Sequence, residues 1–422
     1  MKTSSTLGRF ALLTLSAVLA WTVIFTPYNN SPPIRSDGTG YHIWVHAFKD
    51  RTWNFCNHEA VLEPVGAIAM RSVDNNVCGN KYPPGVGLIQ FPFTSLFSSE
   101  NIVDGFTEEA NLTILILASA LLIGTVYITG LTMHTLSVTP ITIFLASFAG
   151  IFGTGLFHYA TYDASFSHVY SAFFFACTLY IATKLDDAGR TSSALLGQIL
   201  YATFCFLLIL IRQTNILLII GSSLILAMNK NIKNKSKSVY ALLSASTTIL
   251  GVAFYIAYNY YHLNEVTLST YGGEQIVGIA EHSLKVFASY ERGLFTYYPI
   301  FLVALGIGIF ARYKLLYFVM IGQIILFGLI YGSWHSWFLG GGLGHRGFVD
   351  MTPILIIVIG LGIEAIKKTN FSKIVLPLTL TLIALAIYVT STVQHAYWNS
   401  NYPFAGADQT LYWKTILPGK TK

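Results

Sequence analysis

Short polar segments carry the side chains that could do chemistry in an otherwise apolar chain of 422 residues. The first reads Arg-Ser-Asp-Gly-Thr-Gly-Tyr at 35–41, and its carboxylate, Asp37, could accept a proton from a bound hydroxyl. The two glycines that follow would let the backbone turn tightly or approach a ligand closely. A structural alternative is that Asp37 caps a helix beginning near Tyr41.

Three further segments carry cations that could hold a phosphate. Lys81 precedes the rigid Pro-Pro-Gly at 83–85, where its ammonium is either a positioned charge or a solvated one. Arg212 interrupts two apolar runs, so it either has a function or extends its charge to lipid headgroups. Gly-Gly-Gly-Leu-Gly-His-Arg at 340–346 combines a glycine-rich loop with His345 and Arg346, a pattern suited to cradling an anion.

One short segment suggests a metal. His158, Asp163 and His168 lie within eleven residues, at 158–168, and a carboxylate with two imidazoles could bind a divalent ion. The alternative is a polar turn in which Asp163 or Ser165 caps the next helix. The need for a metal therefore stays open at this point.

Composition predicts the elements that must position these residues. Hydrophobic residues make up 54% of the chain and charged residues only 10%, where a soluble domain has about 25% charged. This excludes an ordinary soluble enzyme, a disordered chain and a nucleic-acid binder, and favours an all-α polytopic membrane protein. About eleven apolar runs are candidate transmembrane helices, at 10–27, 110–133, 139–157, 167–183, 193–211, 214–229, 239–261, 295–311, 315–333, 351–366 and 374–392.

The distribution of Lys and Arg predicts the orientation. The short connections that hold most of them would be cytoplasmic, together with the N-terminus. We expect a transmembrane domain over 1–392, a long first extracytoplasmic loop over 28–109 with amphipathic surface helices at 41–50 and 59–71, and an outer tail over 393–422. In an outer loop Cys56 and Cys78 could form a disulfide, with two unpaired thiols as the alternative.

The order of these segments resembles the bacterial members of the GT-C superfamily of integral-membrane glycosyltransferases. The shared features are an acid just past the first span, a Lys-Tyr-Pro-Pro-Gly segment at 81–85, Gly-Leu-Phe-Thr-Tyr-Tyr-Pro at 293–299 and a Trp…Gly-Gly…Arg segment at 334–346. The resemblance implies an enzyme of the bacterial inner membrane. It would transfer a sugar, with inversion and on the extracytoplasmic face, from a polyprenyl-phosphate donor to a hydroxyl of a glycan or lipid-linked saccharide.

The resemblance also implies roles for individual residues. Asp37 would be the general base, and Lys81 and Arg346 would bind the donor phosphate, with Arg212 and His345 as further candidates. The expected partners are the lipid-linked donor, the acceptor and membrane lipid, and no nucleic acid.

Two departures from the family pattern concern the acids. Asn80 stands where the related aminoarabinose transferases have an acid, and Asp37 stands alone where many members have two adjacent acids. Asp163 is the preferred second acid, ahead of Glu59, Glu63 and Asp74. An O-antigen polymerase or ligase and a lipid or saccharide flippase are the alternative functions.

Overall fold

The structure is a computed structural model that describes residues 32–72, 76–98, 106–184, 191–271, 277–278 and 280–417. Over these ranges the chain is mostly helical, as predicted, with one small β-hairpin. The predicted span at 10–27 and the candidate acid Asp74 lie outside the described residues.

Short elements precede the long helices. They are α1 (Asp37–His42), α2 (Trp44–Asp50), α3 (Glu59–Leu62), β1 (Ile68–Ser72), β2 (Val77–Asn80) and α4 (Gly85–Phe97), with 3-10 turns at Cys56–His58 and Glu63–Val65. β1 and β2 pair antiparallel, Ser72 opposite Val77 and Ile68 opposite Asn80, with a bulge between Ile68 and Met70. The hairpin therefore delivers Asn80 and Lys81 to the start of α4.

The remaining helices follow in chain order. They are α5 (Glu108–Thr135), α6 (Pro140–Gly153), α7 (Leu156–Thr161), α8 (Ser167–Lys184), α9 (Thr191–Ile211), α10 (Ile216–Met228), α11 (Asn234–Leu263), α12 (Ser283–Ala288), α13 (Leu294–Tyr297), α14 (Ile300–Gly308), α15 (Lys314–Gly332), α16 (Thr352–Ile366), α17 (Ser372–Trp398) and α18 (Gln409–Ile416). Further 3-10 turns cover Gln213–Asn215 and Arg346–Met351.

Five helices in the described part of the chain are long and apolar enough to cross a membrane: Glu108–Thr135, Ser236–Leu263, Lys314–Gly332, Arg346–Ile366 and Ser372–Trp398. The predicted count of about eleven is therefore not supported. Four other apolar helices are shorter, and two predicted runs are broken. The run at 139–157 stops at Gly153 before α7, and the run at 295–311 is interrupted at Pro299, which has no N–H to continue a helix.

The first predicted loop also differs from expectation. α2 does not lie on the surface, because Trp44, Val45, His46 and Ala47 are buried. The stretch at 59–71 is not one amphipathic helix, since it ends in β1. The disulfide is confirmed: Cys56 and Cys78 are bonded and tie the turn before α3 to β2.

α16 lies at the centre of the core and carries a site residue at its entrance. Every residue from Thr352 to Ile363 is buried, and an α-helix that is apolar on all sides belongs in an interior. It packs against α5, α6, α14 and α15. Pro353 suits the first turn of this helix, and the 3-10 turn that precedes it holds Arg346 and Asp350 in fixed directions.

Candidate active site

α1 is held from two sides by contacts to its backbone. The Ser165 hydroxyl donates to the Gly38 carbonyl at 2.8 Å, and the Asn80 amide donates to the Gly40 carbonyl at 2.6 Å. A Cβ at Gly40 would lie 2.1 Å from the Tyr82 ring, so only glycine lets that ring pack there. The glycines after Asp37 thus admit neighbouring protein groups.

Asp37 is the first residue of α1, and Arg346 neutralises it. Its carboxylate lies 2.6 Å from the Arg346 guanidinium, and the two side chains are 19% and 11% exposed. The alternative role of Asp37 as a helix cap is not observed, since Ser36 occupies the N-cap position. The structure therefore brings together the predicted base and a predicted phosphate ligand that are far apart in sequence.

The two terminal guanidinium nitrogens of Arg346 differ in their hydrogen bonding. Its Nη2 also donates to the Leu339 carbonyl, and the guanidinium lies 5.2 Å from the Phe166 ring centre. Its Nη1 is buried and has no hydrogen-bond partner among the residues that the structure describes. A buried N–H without a partner is costly, so a bound anion at Nη1 would remove a penalty that the free protein carries.

Three tyrosines lie close enough to the Asp37–Arg346 pair for its charges to act on them: Tyr41 and Tyr82, which are buried, and Tyr271, which is half-buried. Burial is the main cause that raises the pKa of Tyr41, Tyr82 and Tyr271, and Asp37 raises all three further while Arg346 lowers them. These hydroxyls therefore stay protonated. Lys81 belongs to the same group, because its ammonium lies 5.4 Å from the Tyr82 ring centre and 5.5 Å from that of Tyr271.

Arg212 lies near this group, but its charge is balanced by Asp350. The Arg212 guanidinium donates to one oxygen of the fully buried Asp350 carboxylate at 3.0 Å, and the other oxygen lies 2.7 Å from Nδ1 of His168. Arg212 also lowers the pKa of Tyr41 and Tyr271. Arg212 thus remains a cation near the site, and its guanidinium is bonded to Asp350 in the 3-10 turn Arg346–Met351.

His345 has contacts within its own loop. It is fully buried, and its Nε2 donates to the Trp337 carbonyl at 3.0 Å. The glycines at 340, 342 and 344 have positive φ, which lets the loop fold around Arg346. The loop does not offer all its N–H groups to an anion, since that of Leu343 bonds the Tyr159 hydroxyl at 3.1 Å.

Asp163 is the centre of a second cluster, formed by Arg35, Asp163, His158 and Trp398. One Asp163 oxygen accepts from Nε and Nη2 of Arg35 at 2.9 and 2.8 Å, and the other lies 2.8 Å from Nε2 of His158. The Trp398 indole donates to Nδ1 of His158 at 2.8 Å. His158 must therefore carry its proton on Nε2 and donate it to Asp163. We call these four side chains the Asp163 network.

The charges of this network reinforce one another. Burial alone would raise the pKa of the Asp163 carboxyl, but Arg35 and His158 outweigh it and hold that pKa well below its usual range. Burial lowers the pKa of His158, against the opposing effect of Asp163. Asp163 is thus an anion and His158 a neutral ring at neutral pH, which agrees with the tautomer that Trp398 imposes.

The three metal candidates are not brought together. His158 contacts Asp163, but His168 bonds Asp350 instead. No group of three or more His, Cys, Asp or Glu side chains that could hold an ion occurs in the part of the chain that the structure describes. These residues therefore do not fit a metal site, and we derive no step through an ion.

Sequence reasoning missed four contributors to these clusters. Arg35 stands two positions before Asp37 in the segment at 35–41, and its proximity to that acid is a signal that the sequence carries. Asp350 lies four residues after Arg346, just beyond the glycine-rich segment at 340–346. Trp398 and Tyr271 carry no local signal, because aromatic residues near helix ends are common in membrane proteins.

Comparison with solved structures gives the fold. The apo oligosaccharyltransferase of Archaeoglobus fulgidus is similar with a TM-score of 0.55 and 11% identity, over 99% of this chain and 58% of that one. The archaeal oligosaccharyltransferase AglB from the same organism, in complex with an inhibitory peptide and a dolichol-phosphate, gives 0.50 and 10%, over 94% and 56%. The form tethered to an acceptor peptide with the NVT sequon gives 0.50 and 10%, over 96% and 56%.

These likenesses define the class of the fold and no more. The chain shares its fold with these oligosaccharyltransferase structures. It spans a little over half the length of the oligosaccharyltransferases that it matches. No protein-family model and no curated protein matches it.

Proposed function

We propose that this chain is a membrane glycosyltransferase that moves a sugar from a polyprenyl-phosphate donor to an acceptor hydroxyl. The observation that carries the proposal is the Asp37–Arg346 pair, in which a partly exposed carboxylate lies 2.6 Å from a guanidinium. One nitrogen of that guanidinium has no partner in the described part of the chain. This reaction needs a general base next to a cation that can bind the donor phosphate. The fold supports the same class.

The reaction divides between these two groups. The acceptor hydroxyl attacks the anomeric carbon and loses its proton to Asp37, while the bond from that carbon to the phosphate oxygen breaks. The phosphate leaves with the electron pair, so its negative charge grows, and Arg346, Lys81 and Arg212 would stabilise that charge. A single displacement inverts the anomeric centre. A lipid phosphate leaves readily, so no strong acid is required.

The ion pair must change partners during this cycle. In the free protein the carboxylate of Asp37 is bonded to Arg346, and a bonded carboxylate is a weak base. A donor phosphate has more negative charge to offer the guanidinium and would draw Arg346 away from Asp37. Donor binding would thereby expose the base only when there is a sugar to transfer.

The location of the site belongs to the same proposal. We place the active site on the extracytoplasmic face of the bacterial inner membrane, with the N-terminus cytoplasmic. The transmembrane domain would cover 1–392 and the outer tail 393–422. The Cys56–Cys78 disulfide supports an outer position for the first loop, since disulfides persist in oxidising compartments. A glycan or lipid-linked saccharide of the cell envelope, such as O-antigen, would be the acceptor.

Mass spectrometry of surface glycans tests this function. Cells that express the chain should add a sugar that is absent from cells lacking it and from cells expressing the Asp37→Asn variant. Lys49→Ala is a matched control, because Lys49 is exposed in the same segment. Unchanged glycans together with movement of a lipid-linked saccharide across the membrane would favour a flippase. Altered chain length without a new residue would favour a polymerase or ligase.

A further inference from the structure

The residue between Arg35 and Asp37 has an unfavourable backbone conformation. Ser36 has φ of 47° and ψ of −131°, a combination that residues with a Cβ rarely adopt. Its side chain is exposed and makes no capping hydrogen bond. Nothing within Ser36 itself therefore favours this conformation, and its neighbours must impose it.

Both neighbours are fixed by ion pairs. On the N-terminal side, Nη2 of Arg35 lies 2.8 Å from the Asp163 carboxylate, and the guanidinium lies 3.6 Å from the Tyr162 ring centre. On the C-terminal side, Asp37 lies 2.6 Å from Arg346. Ser36 is thus held between two anchored side chains that belong to different parts of the fold.

The ion pair of Arg35 is stabilised by further buried residues behind Asp163. Asp163 is 3% exposed and His158 is fully buried, and His158 is bonded in turn to Trp398 at the end of α17. A buried chain of charge-assisted hydrogen bonds has few alternative arrangements. By contrast, the pair at Asp37 is partly exposed and shares its guanidinium with Leu339.

We infer that Arg35, locked by the Asp163 network, is a positioning residue that keeps Ser36 strained and thereby aims the Asp37 carboxylate at Arg346. The inference deepens the proposed function and rests on it, because it assigns the orientation of the proposed base. It also reassigns Asp163. Both of its oxygens are engaged by Arg35 and His158, so it acts through Arg35.

The strain has a consequence for the reaction. When a donor phosphate binds Arg346, the Asp37–Arg346 ion pair breaks and the Arg35–Asp163 ion pair remains. Ser36 can then relax towards a common backbone conformation, and Asp37 turns away from the guanidinium with it. The stored strain would thus favour the free carboxylate in the donor-bound state.

Glycine at position 36 gives the decisive test, because glycine adopts positive φ without strain. We expect Ser36→Gly to raise the melting temperature of the purified chain in detergent by a few degrees, to lower kcat about tenfold and to raise the donor KM, because the phosphate must then displace Asp37 from Arg346 without the release of strain. Ser36→Ala keeps the Cβ and removes only an exposed hydroxyl, so all three quantities should stay near those of the wild type. A merely structural role would move stability and kcat in the same direction.

A double-mutant cycle tests the anchor. Arg35→Ala and Asp163→Asn should each lower kcat about tenfold or more. The double variant should have a kcat no lower than that of either single variant, since both substitutions remove the same Arg35–Asp163 ion pair. Arg35→Lys should restore only part of the rate, because an ammonium lacks the forked geometry. Additive losses would overturn the inference, as would a Ser36→Gly variant with unchanged kcat.

The two proposals can fail separately. If the wild type transfers no sugar, the proposed function fails, and the melting temperatures still decide whether Ser36 is strained. If the wild type transfers sugar but Ser36→Gly has a lower melting temperature, the positioning inference alone is wrong.

Discussion

Replacing Arg346 by alanine should weaken donor binding sharply. The guanidinium has one buried nitrogen, Nη1, that no described residue bonds, and a second, Nη2, that bonds Asp37. A hydrogen bond to a charged group contributes about 1.5–3 kcal/mol, and each 1.4 kcal/mol changes affinity about tenfold. Losing one such bond to the phosphate should therefore raise the donor Kd about 10- to 100-fold.

The variant has a second defect that acts in the same direction. Without Arg346, the carboxylate of Asp37 has no cation at 2.6 Å, and its charge would repel the incoming phosphate. Arg346→Lys retains a positive charge but lacks the fork, so it should bind the donor more weakly than the wild type and more tightly than Arg346→Ala.

Direct binding of a polyprenyl-phosphate sugar to the purified chain, reconstituted in lipid, measures this effect. Arg312→Ala is the matched control, since Arg312 is an exposed arginine before α15 and its loss should leave the Kd unchanged. Melting temperatures identify variants that fail to fold. A folded Arg346→Ala variant with a donor Kd within about twofold of the wild type would refute the assignment of Arg346 as the phosphate ligand.

Three further predictions concern the framework of the site. Opening the disulfide with Cys56→Ser and Cys78→Ser should cost about 3 kcal/mol, because the bond closes a loop of 22 residues, and thiol labelling with thermal melting checks this. Burial lowers the pKa of His158 in the folded chain. The neutral ring therefore contributes fully to stability above about pH 6.5, and this contribution declines at lower pH because the unfolded chain takes up the proton first. His158→Gln should flatten the fall in melting temperature between pH 7 and 5. Asp350→Asn leaves Arg212 without its buried partner and should cost about 3–5 kcal/mol in thermal or denaturant unfolding.

The helical class was predictable, while the number of spans was not. Apolar runs mark segments that avoid water, but a run does not reveal whether one helix continues through it. Helices end at Gly153 and at Tyr297 inside two of these runs, the second just before Pro299. A helix needs about 20 residues to cross a bilayer. Runs that are shorter or broken can pack within the protein, as the buried residues of α6 do.

The sequence predicted which residues could belong to the site, but not which of them contact one another. Asp37 and Arg346 each stand out, because charge is rare in this chain and needs a reason where it occurs. Their contact depends on how α1 meets the turn before α16, which no local pattern encodes. The same holds for Asp163 and His168, which are candidate ligands of one metal by sequence and lie in separate networks in the structure.

Transfer from a pre-bound donor in the Asp37→Asn variant tests the central claim most directly. The purified variant is loaded with a labelled polyprenyl-phosphate sugar, acceptor is added, and the label is followed in a single turnover. We expect the variant to bind donor at least as tightly as the wild type, since Arg346 is freed. We expect its transfer rate to fall by a factor of about 10²–10⁴, the usual contribution of a general base. Transfer at the wild-type rate by the donor-loaded variant would contradict this expectation.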